Sequence, residues 1–294
     1  MKRAGFNNKW LPMLFLLPQL SIIFIFFYWP ALQALNLSFY LEDPFGFGST
    51  FVGLDNYTDI LNNAEYLKIA GFTVFFSVSV TFFSLALALL FAVKADKVIR
   101  GAKAYRTLLM WVYAVAPPVA GFIFLVMFSQ RWGPLTNFLD YAFGYDFRVG
   151  LDYNDTAAAM ILASVWKQIP VNFIFFLSGL QSIPRAIIEA ARIDNNSAFR
   201  RFWDVTFPLL APTGFFLLIT NFTYSLFDTF GTIDTILRGE PASNPMTLVY
   251  KVYVDGFRGN DLGGSSAQSV ILMVLVLAMT IFQFRLVERR IHYT

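Results

Sequence analysis

Charged residues are spaced so widely along this chain that the gaps between them set the first structural expectation. Residues 10–41, 69–93, 107–130, 205–227 and 262–284 contain no Asp, Glu, Lys or Arg, and 157–180 is interrupted only by Lys167. A helix rising about 1.5 Å per residue needs about 20 mostly apolar residues to cross a hydrocarbon layer of about 30 Å. The pattern predicts six membrane-spanning helices near 11–32, 70–93, 108–129, 157–180, 206–227 and 265–284. Lys2, Arg3 and Lys9 precede the first run, as in a secretory signal peptide. The run is longer than a signal h-region and no A-x-A pattern follows Pro30, so it reads as a retained anchor.

The polar segments give the expected orientation. Fifteen of the 22 Lys and Arg residues fall in the N-terminus, 94–106, 181–206 and 285–294, against six in 42–68, 131–156 and 228–261. Basic residues stay on the cytoplasmic side, so both termini are expected there. Trp10, Trp111 and Trp203 lie near the cytoplasmic ends, and Trp29 and Trp132 near the outer ends, as an interfacial belt would. The slight basicity, a formal charge of +3, is therefore an insertion signal and no sign of nucleic-acid binding.

Composition strengthens the membrane reading. Apolar residues make up 57% of the 294 and charged residues only 14%, with 35 Phe; soluble chains carry about 25% charged residues. The sequence is all-α by expectation, a polytopic membrane protein forming one transmembrane domain over 1–294. There is no cysteine, and the only histidine is His292. Disulfides, thiol nucleophiles, Cys/His metal sites and a deep Ser-His-Asp triad are excluded, so no catalytic or metal site is expected. No glycine is followed by lysine, so there is no G-x-x-x-x-G-K phosphate loop. Uphill transport would need an ATPase on another chain.

The loop at 182–206 is the most informative polar segment. Ser182 and Pro184 suit a helix start. Ala186, Ile187, Ile188, Ala190, Ala191 and Ile193 give that helix an apolar side. Asn195 and Asn196 break it, and Phe199, Phe202 and Trp203 line a second amphipathic helix before Pro208 starts the fifth span.

Glu189-Ala190-Ala191, Ile193-Asp194, Phe202, Thr206, Pro208 and Leu209 resemble the EAA loop of binding-protein-dependent ABC importer permeases. Asn195 stands where that pattern has Gly, and Phe207 where it has the Leu before Pro. Leu180-Gln181-Ser182-Ile183-Pro184 and Phe51-Val52-Gly53-Leu54-Asp55-Asn56-Tyr57 are similar to the maltose-type sugar-importer branch. Asp43-Pro44-Phe45-Gly46-Phe47, Tyr113-Ala114-Val115-Ala116-Pro117, Ser164-Val165-Trp166-Lys167-Gln168-Ile169 and Ser266-Ala267-Gln268-Ser269-Val270 resemble permeases of sn-glycerol-3-phosphate importers within it.

The resemblance implies a type I importer permease fold working by alternating access in a bacterial inner membrane. It also implies a similar second permease, a homodimeric ATPase that binds the ATP and Mg, and a periplasmic binding protein. This chain would carry no cofactor of its own, and its contacts would be with a small-molecule substrate, lipid and these proteins. Glu189, Ala190, Ala191, Asp194 and Asn195 would couple it to the ATPase; the bland alternative is an amphipathic connector on the membrane surface.

Lys167 is the one charge inside a predicted span, and such charges face a partner or a watery cavity. It is expected to attract an anionic substrate, to form a structural ion pair for which Asp228 is the candidate partner, or to snorkel to the outer surface. At about 100° per residue, Asn221, Tyr224, Ser225 and Asp228 share one stripe of the fifth span. In sugar-importer permeases, substrate contacts come from the helices flanking the EAA loop. By that resemblance Lys167, Gln168, Asn221, Tyr224, Ser225 and Asp228 are the substrate-pathway candidates. The alternative for the stripe is interhelical hydrogen bonding. Competing functions are a permease for a neutral sugar or oligosaccharide, a stand-alone channel or secondary carrier, and an intramembrane enzyme. The last lacks paired carboxylates within the spans.

Overall fold

The computed structural model describes residues 10–42, 48–96, 102–194, 197–238 and 245–287. Along the chain, α1 (Trp10–Ile23) passes through a wide π-helical turn (Phe24–Tyr28) into α2 (Trp29–Leu37). A short antiparallel hairpin of β1 (Tyr40–Glu42) and β2 (Ser49–Phe51) precedes α3 (Asp55–Asn62) and the long α4 (Ala64–Asp96). Next come α5 (Ala102–Trp111), α6 (Pro117–Met127), α7 (Pro134–Phe143) and α8 (Tyr153–Ser182). The polar loop contains α9 (Arg185–Asp194) and α10 (Ala198–Arg201) and runs into α11 (Phe207–Thr223). Last are α12 (Phe230–Leu237), α13 (Leu248–Tyr253) and α14 (Leu262–Val287).

Among the described residues five helical segments are long and apolar enough to span a membrane, and the count reaches six where the bent pair Lys103–Ala114 and Pro117–Met127 is taken as one span. The charge-free runs predicted six. The spans differ from the expectation in detail. The helices around 70–93 and 157–180 run on to Ala64–Asp96 and Tyr153–Ser182, beyond the hydrocarbon thickness. The third is broken, turning through 101°.

The chain forms two compact units, Met1–Ala64 with Val252–Val274, and Glu65–Lys251 with Leu275–Thr294. In the first, Asn56 ties the hairpin to α3. Its amide nitrogen donates to the carbonyls of Ser38 and Tyr40 at 2.9 and 3.0 Å. Tyr57 shares a 2.6 Å hydrogen bond with the Ser38 hydroxyl, and Gly53 takes the left-handed backbone (φ 62°) that turns the chain into α3. The Phe51–Tyr57 block is thus a compact turn whose side chains clasp the backbone. Gly263 permits another close approach, since a Cβ there would strike the Tyr40 carbonyl. Gln268 donates to Asp255 at 2.6 Å.

The second unit packs α4, α5, α6, α8, α11 and α12. Ala88, Ala92 and Ala95 form a narrow face on α4 that meets Phe173, Phe176 and Leu177 of α8 and Leu217 of α11. Small residues let helices approach closely where lipid provides no hydrophobic drive for association. Gly179 does the same against Leu210 and Thr213 of α11.

Candidate functional site

Three features of the second unit stand out from the apolar packing. The first is the break between α5 and α6. Pro117 disfavours helical backbone at the residue before it, and Ala116 is extended (φ −65°, ψ 146°), so the new helix starts at the proline pair. A helix end inside a membrane leaves carbonyls without partners, which hydrocarbon penalises. The Lys167 ammonium donates to the Tyr113 carbonyl at 2.9 Å and sits 5.4 Å from the centre of the Tyr113 ring. A cation at a helix C-terminus is also favoured by the helix dipole. On the other side of the break, the Thr232 hydroxyl donates to the Pro117 carbonyl at 3.0 Å. Gly121 permits close approach of α12, because a Cβ there would lie 2.6 Å from the Thr232 carbonyl oxygen.

The second feature is a polar clasp joining α4, α8 and α11. Asn172 donates to the Asn221 side-chain carbonyl at 2.8 Å, and Asn221 donates back to that of Asn172 at 2.6 Å. Ser84 donates to the same Asn221 oxygen at 2.9 Å, and all three residues are fully buried. Such bonds average about 0.6 kcal/mol in membranes. Leaving one amide unpaired costs more than the bond itself contributes, about 1–3 kcal/mol in protein interiors.

The predicted stripe is therefore divided. Asn221 and Ser225 are buried, with the Ser225 hydroxyl donating to the Phe222 carbonyl at 2.7 Å. Tyr224, half-buried, reaches the Ser164 carbonyl of α8 at 3.3 Å. Asp228 is exposed. A π-helical turn spans Tyr224–Asp228, so the 100° projection does not hold across it. Gln168 is buried one turn from Asn172. Lys167 and Asp228 are not brought together as an ion pair. Lys167 is committed instead to the Tyr113 carbonyl after α5.

The third feature is the 182–206 loop. α9 is an exposed amphipathic helix in which, among the described side chains, Ala191 alone is buried, leaving Glu189 and Ala190 open to solvent. Ile193 and Phe199 are 86% and 75% exposed. Of Asp194, only the backbone is described, and Asn195 lies outside the described residues. α9 overhangs a cavity of about 710 Å³ lined by Val93, Leu180, Ile188, Ala191, Arg192 and Phe202 among others. Ser197 caps α10, and the helix then continues without interruption into α11. The expected start at Pro208 is absorbed by a π-helical turn over Phe202–Thr206, closed by the Phe207 amide on the Phe202 carbonyl.

Sequence reasoning missed Ser84, Tyr113, Asn172 and Thr232. Only the break had a visible signal, the adjacent Pro117 and Pro118 within an apolar run. The clasp joins residues 49 and 137 positions apart, which no local pattern encodes.

Residues 84–293 match the family of binding-protein-dependent transport system inner membrane components. The chain is 50% identical over 294 residues, all of both chains, to the sn-glycerol-3-phosphate transport system permease protein UgpA of Brucella suis biovar 1 (strain 1330). It is 46% identical over 291 residues, covering 99% of this chain and 98% of the relative, to the protein of that name from Salmonella typhi. Among solved structures, it is similar to a chain of a bacterial ABC transporter involved in the import of the acidic polysaccharide alginate. That match has a TM-score of 0.78 and 19% identity, and covers 95% of this chain and 96% of the other. A chain of the MetNI methionine ABC transporter matches at TM-score 0.52 and 18% identity, covering 76% and 94%.

Proposed function

The chain belongs to the family of binding-protein-dependent transport inner membrane components, and from that premise we propose that it is the permease subunit of an ATP-driven importer of sn-glycerol-3-phosphate or its diesters. The observation that carries the substrate is the end-to-end likeness, at 46–50% identity, to glycerol-3-phosphate permeases. The chain has no G-x-x-x-x-G-K phosphate loop, which supports a separate ATPase as the holder of ATP and Mg, a homodimer by the family resemblance. A second permease of similar fold and a periplasmic binding protein complete the assembly. Both termini and the 182–206 loop face the cytoplasm, as the distribution of basic residues supports.

In this reading α9 docks in a cleft of the ATPase. Glu189 meets a basic residue there, Ala190 and Ala191 permit close approach, and Asp194 and Asn195 shape the exit from the helix. Because α10 is continuous with α11, movement of the ATPase halves is carried into a span as a rigid body. Lys167, Tyr224 and Asp228 face the substrate pathway, while the buried Gln168, Asn221 and Ser225 brace it from behind. The Lys167 ammonium holds the α5–α6 break through Tyr113 and turns to the phosphate when substrate passes. Its field in a medium of low polarity favours an anion.

The test is reconstitution of the copurified complex with its binding protein. ATP hydrolysis stimulated by glycerol-3-phosphate, together with its uptake, is expected. Stimulation by a neutral sugar but not by glycerol-3-phosphate would overturn the substrate assignment and leave the permease class standing.

A further inference from the structure

A second basic site lies at the other end of α8 from the 182–206 loop. A cavity of about 350 Å³ opens among the end of α6, the end of α12 and the turn before α8. Arg131 and Arg238 line it, with Ser129, Gln130 and Gly150, and among the described residues no carboxylate lines it. Its volume is at the lower end of the range for small-molecule sites.

The local backbone holds both arginines at the rim. Arg131 stands within a turn closed by the Gly133 amide on the Ser129 carbonyl at 2.8 Å. Gly133 is required there, since a Cβ would collide with that same carbonyl oxygen. Arg238 ends α12 in a left-handed conformation (φ 51°, ψ 24°) that residues other than Gly, Asn and Asp rarely adopt. The acids near the turn before α8 are already engaged. Asp146 pairs with Arg148 at 2.7 Å. Asp155 accepts from the Tyr145 hydroxyl and the Arg148 amide at 2.7 and 2.8 Å, which pushes the Tyr145 pKa up. Asp152 caps α8. Among the described residues, neither Arg131 nor Arg238 has an acidic partner.

We propose that Arg131 and Arg238 form a binding site for a phosphate oxyanion at this end of the transporter, outside the Lys167 region. Guanidinium groups present paired N–H donors that match phosphate oxygens. The Ser129 hydroxyl and Gln130 amide add neutral donors. The choice of phosphate rests on the glycerol-3-phosphate reading; the anion site does not. A phosphate group could reach it from a soluble phosphomonoester or from a phospholipid headgroup.

The experiment uses the assembled transporter in phosphatidylcholine nanodiscs without the binding protein, titrated with inorganic phosphate and followed by phosphorus NMR line broadening. Saturable broadening is expected, weakened at least tenfold in the Arg131→Gln/Arg238→Gln double variant. Arg238→Gly removes the guanidinium while suiting the left-handed backbone, so loss of binding there is separated from loss of folding. In discs containing phosphatidylglycerol, a lipid-fed site retains that lipid and excludes inorganic phosphate, whereas a site for soluble anions binds phosphate as before; either result upholds the site. Equal broadening in wild type and the double variant overturns it. So does weakened capture of the binding protein by the variants with phosphate binding unchanged. A transporter that binds phosphate here yet takes up another solute keeps this site and loses the substrate reading.

Discussion

The Asn172–Asn221–Ser84 clasp and helix α9 treat their polar and apolar groups in opposite ways. At the clasp, polar side chains are fully buried and each finds its partner within the chain. On α9, apolar side chains stand in the open beside an acid, with Ile193 86% exposed. One region is complete as it stands. The other has the composition of a surface prepared for another protein, with apolar residues around a charge. On the proposed function, internal stability and coupling reside in different places, and substitutions can separate them.

The largest separation is expected at Glu189. Glu189→Ala should cut substrate-stimulated ATP hydrolysis and uptake at least tenfold while leaving the thermal unfolding of the purified permease unchanged. Unfolding that shifts as much as coupling does would end the distinction. The second permease carries its own loop in this reading, so the equivalent double substitution should remove residual coupling.

Gly121→Leu attacks the self-contained side. Its side chain would meet the Thr232 carbonyl and the Thr235 side chain, forcing α6 from α12; overpacking of this kind costs about 1–3 kcal/mol or more. The expected readout is a lower yield of folded protein by size-exclusion chromatography, even without the ATPase. Normal yield and unfolding temperature would show that α12 yields easily.

Lys167 lies between the two regimes. Lys167→Gln should lower glycerol-3-phosphate uptake about tenfold or more, a larger loss than Gln168→Ala causes, with assembly intact. Lys167→Arg should retain more activity because the charge remains. A charge-assisted contact is worth about 1.5–3 kcal/mol. If Lys167→Gln instead reduces folded yield in step with uptake, capping the Tyr113 carbonyl is its whole role.

The smallest effect belongs to the clasp. Asn172→Ala or Asn221→Ala should each destabilise by about 1 kcal/mol, within the range measured for membrane hydrogen bonds. Replacing both with Ala should cost less than the two single alanines together, because neither amide is then left facing an empty partner position. A double-mutant cycle on unfolding measures this directly. Strict additivity would show that the amides act independently.

How much the sequence disclosed depends on the distance over which each feature is encoded. The long apolar helices were legible because each needs only a local run without charge, and the 182–206 loop because its residues lie within about 25 positions. The bend at Pro117–Pro118 was half legible. Two adjacent prolines mark a break, but nothing local says that Lys167 from α8 satisfies it. The clasp was not legible, because one Asn or Ser on an apolar helix means little until folding brings the three together. Asp228 went to a different face from the projected one because a wide turn over Tyr224–Asp228 changes the angular step. The hairpin at Tyr40–Phe51 follows from Asn56 gripping two carbonyls, a contact across 16 and 18 residues.

The openness of α9 bears on how the cell keeps count of its subunits. A chain made in excess of its ATPase presents Ile193 and Phe199 to water, the kind of surface that chaperones and proteases recognise. Docking would cover the same side chains and so protect the chain. Abundance of the permease is then set by supply of its partner, and a substitution such as Ile193→Ser should lengthen the lifetime of the orphan chain while shortening that of the complex.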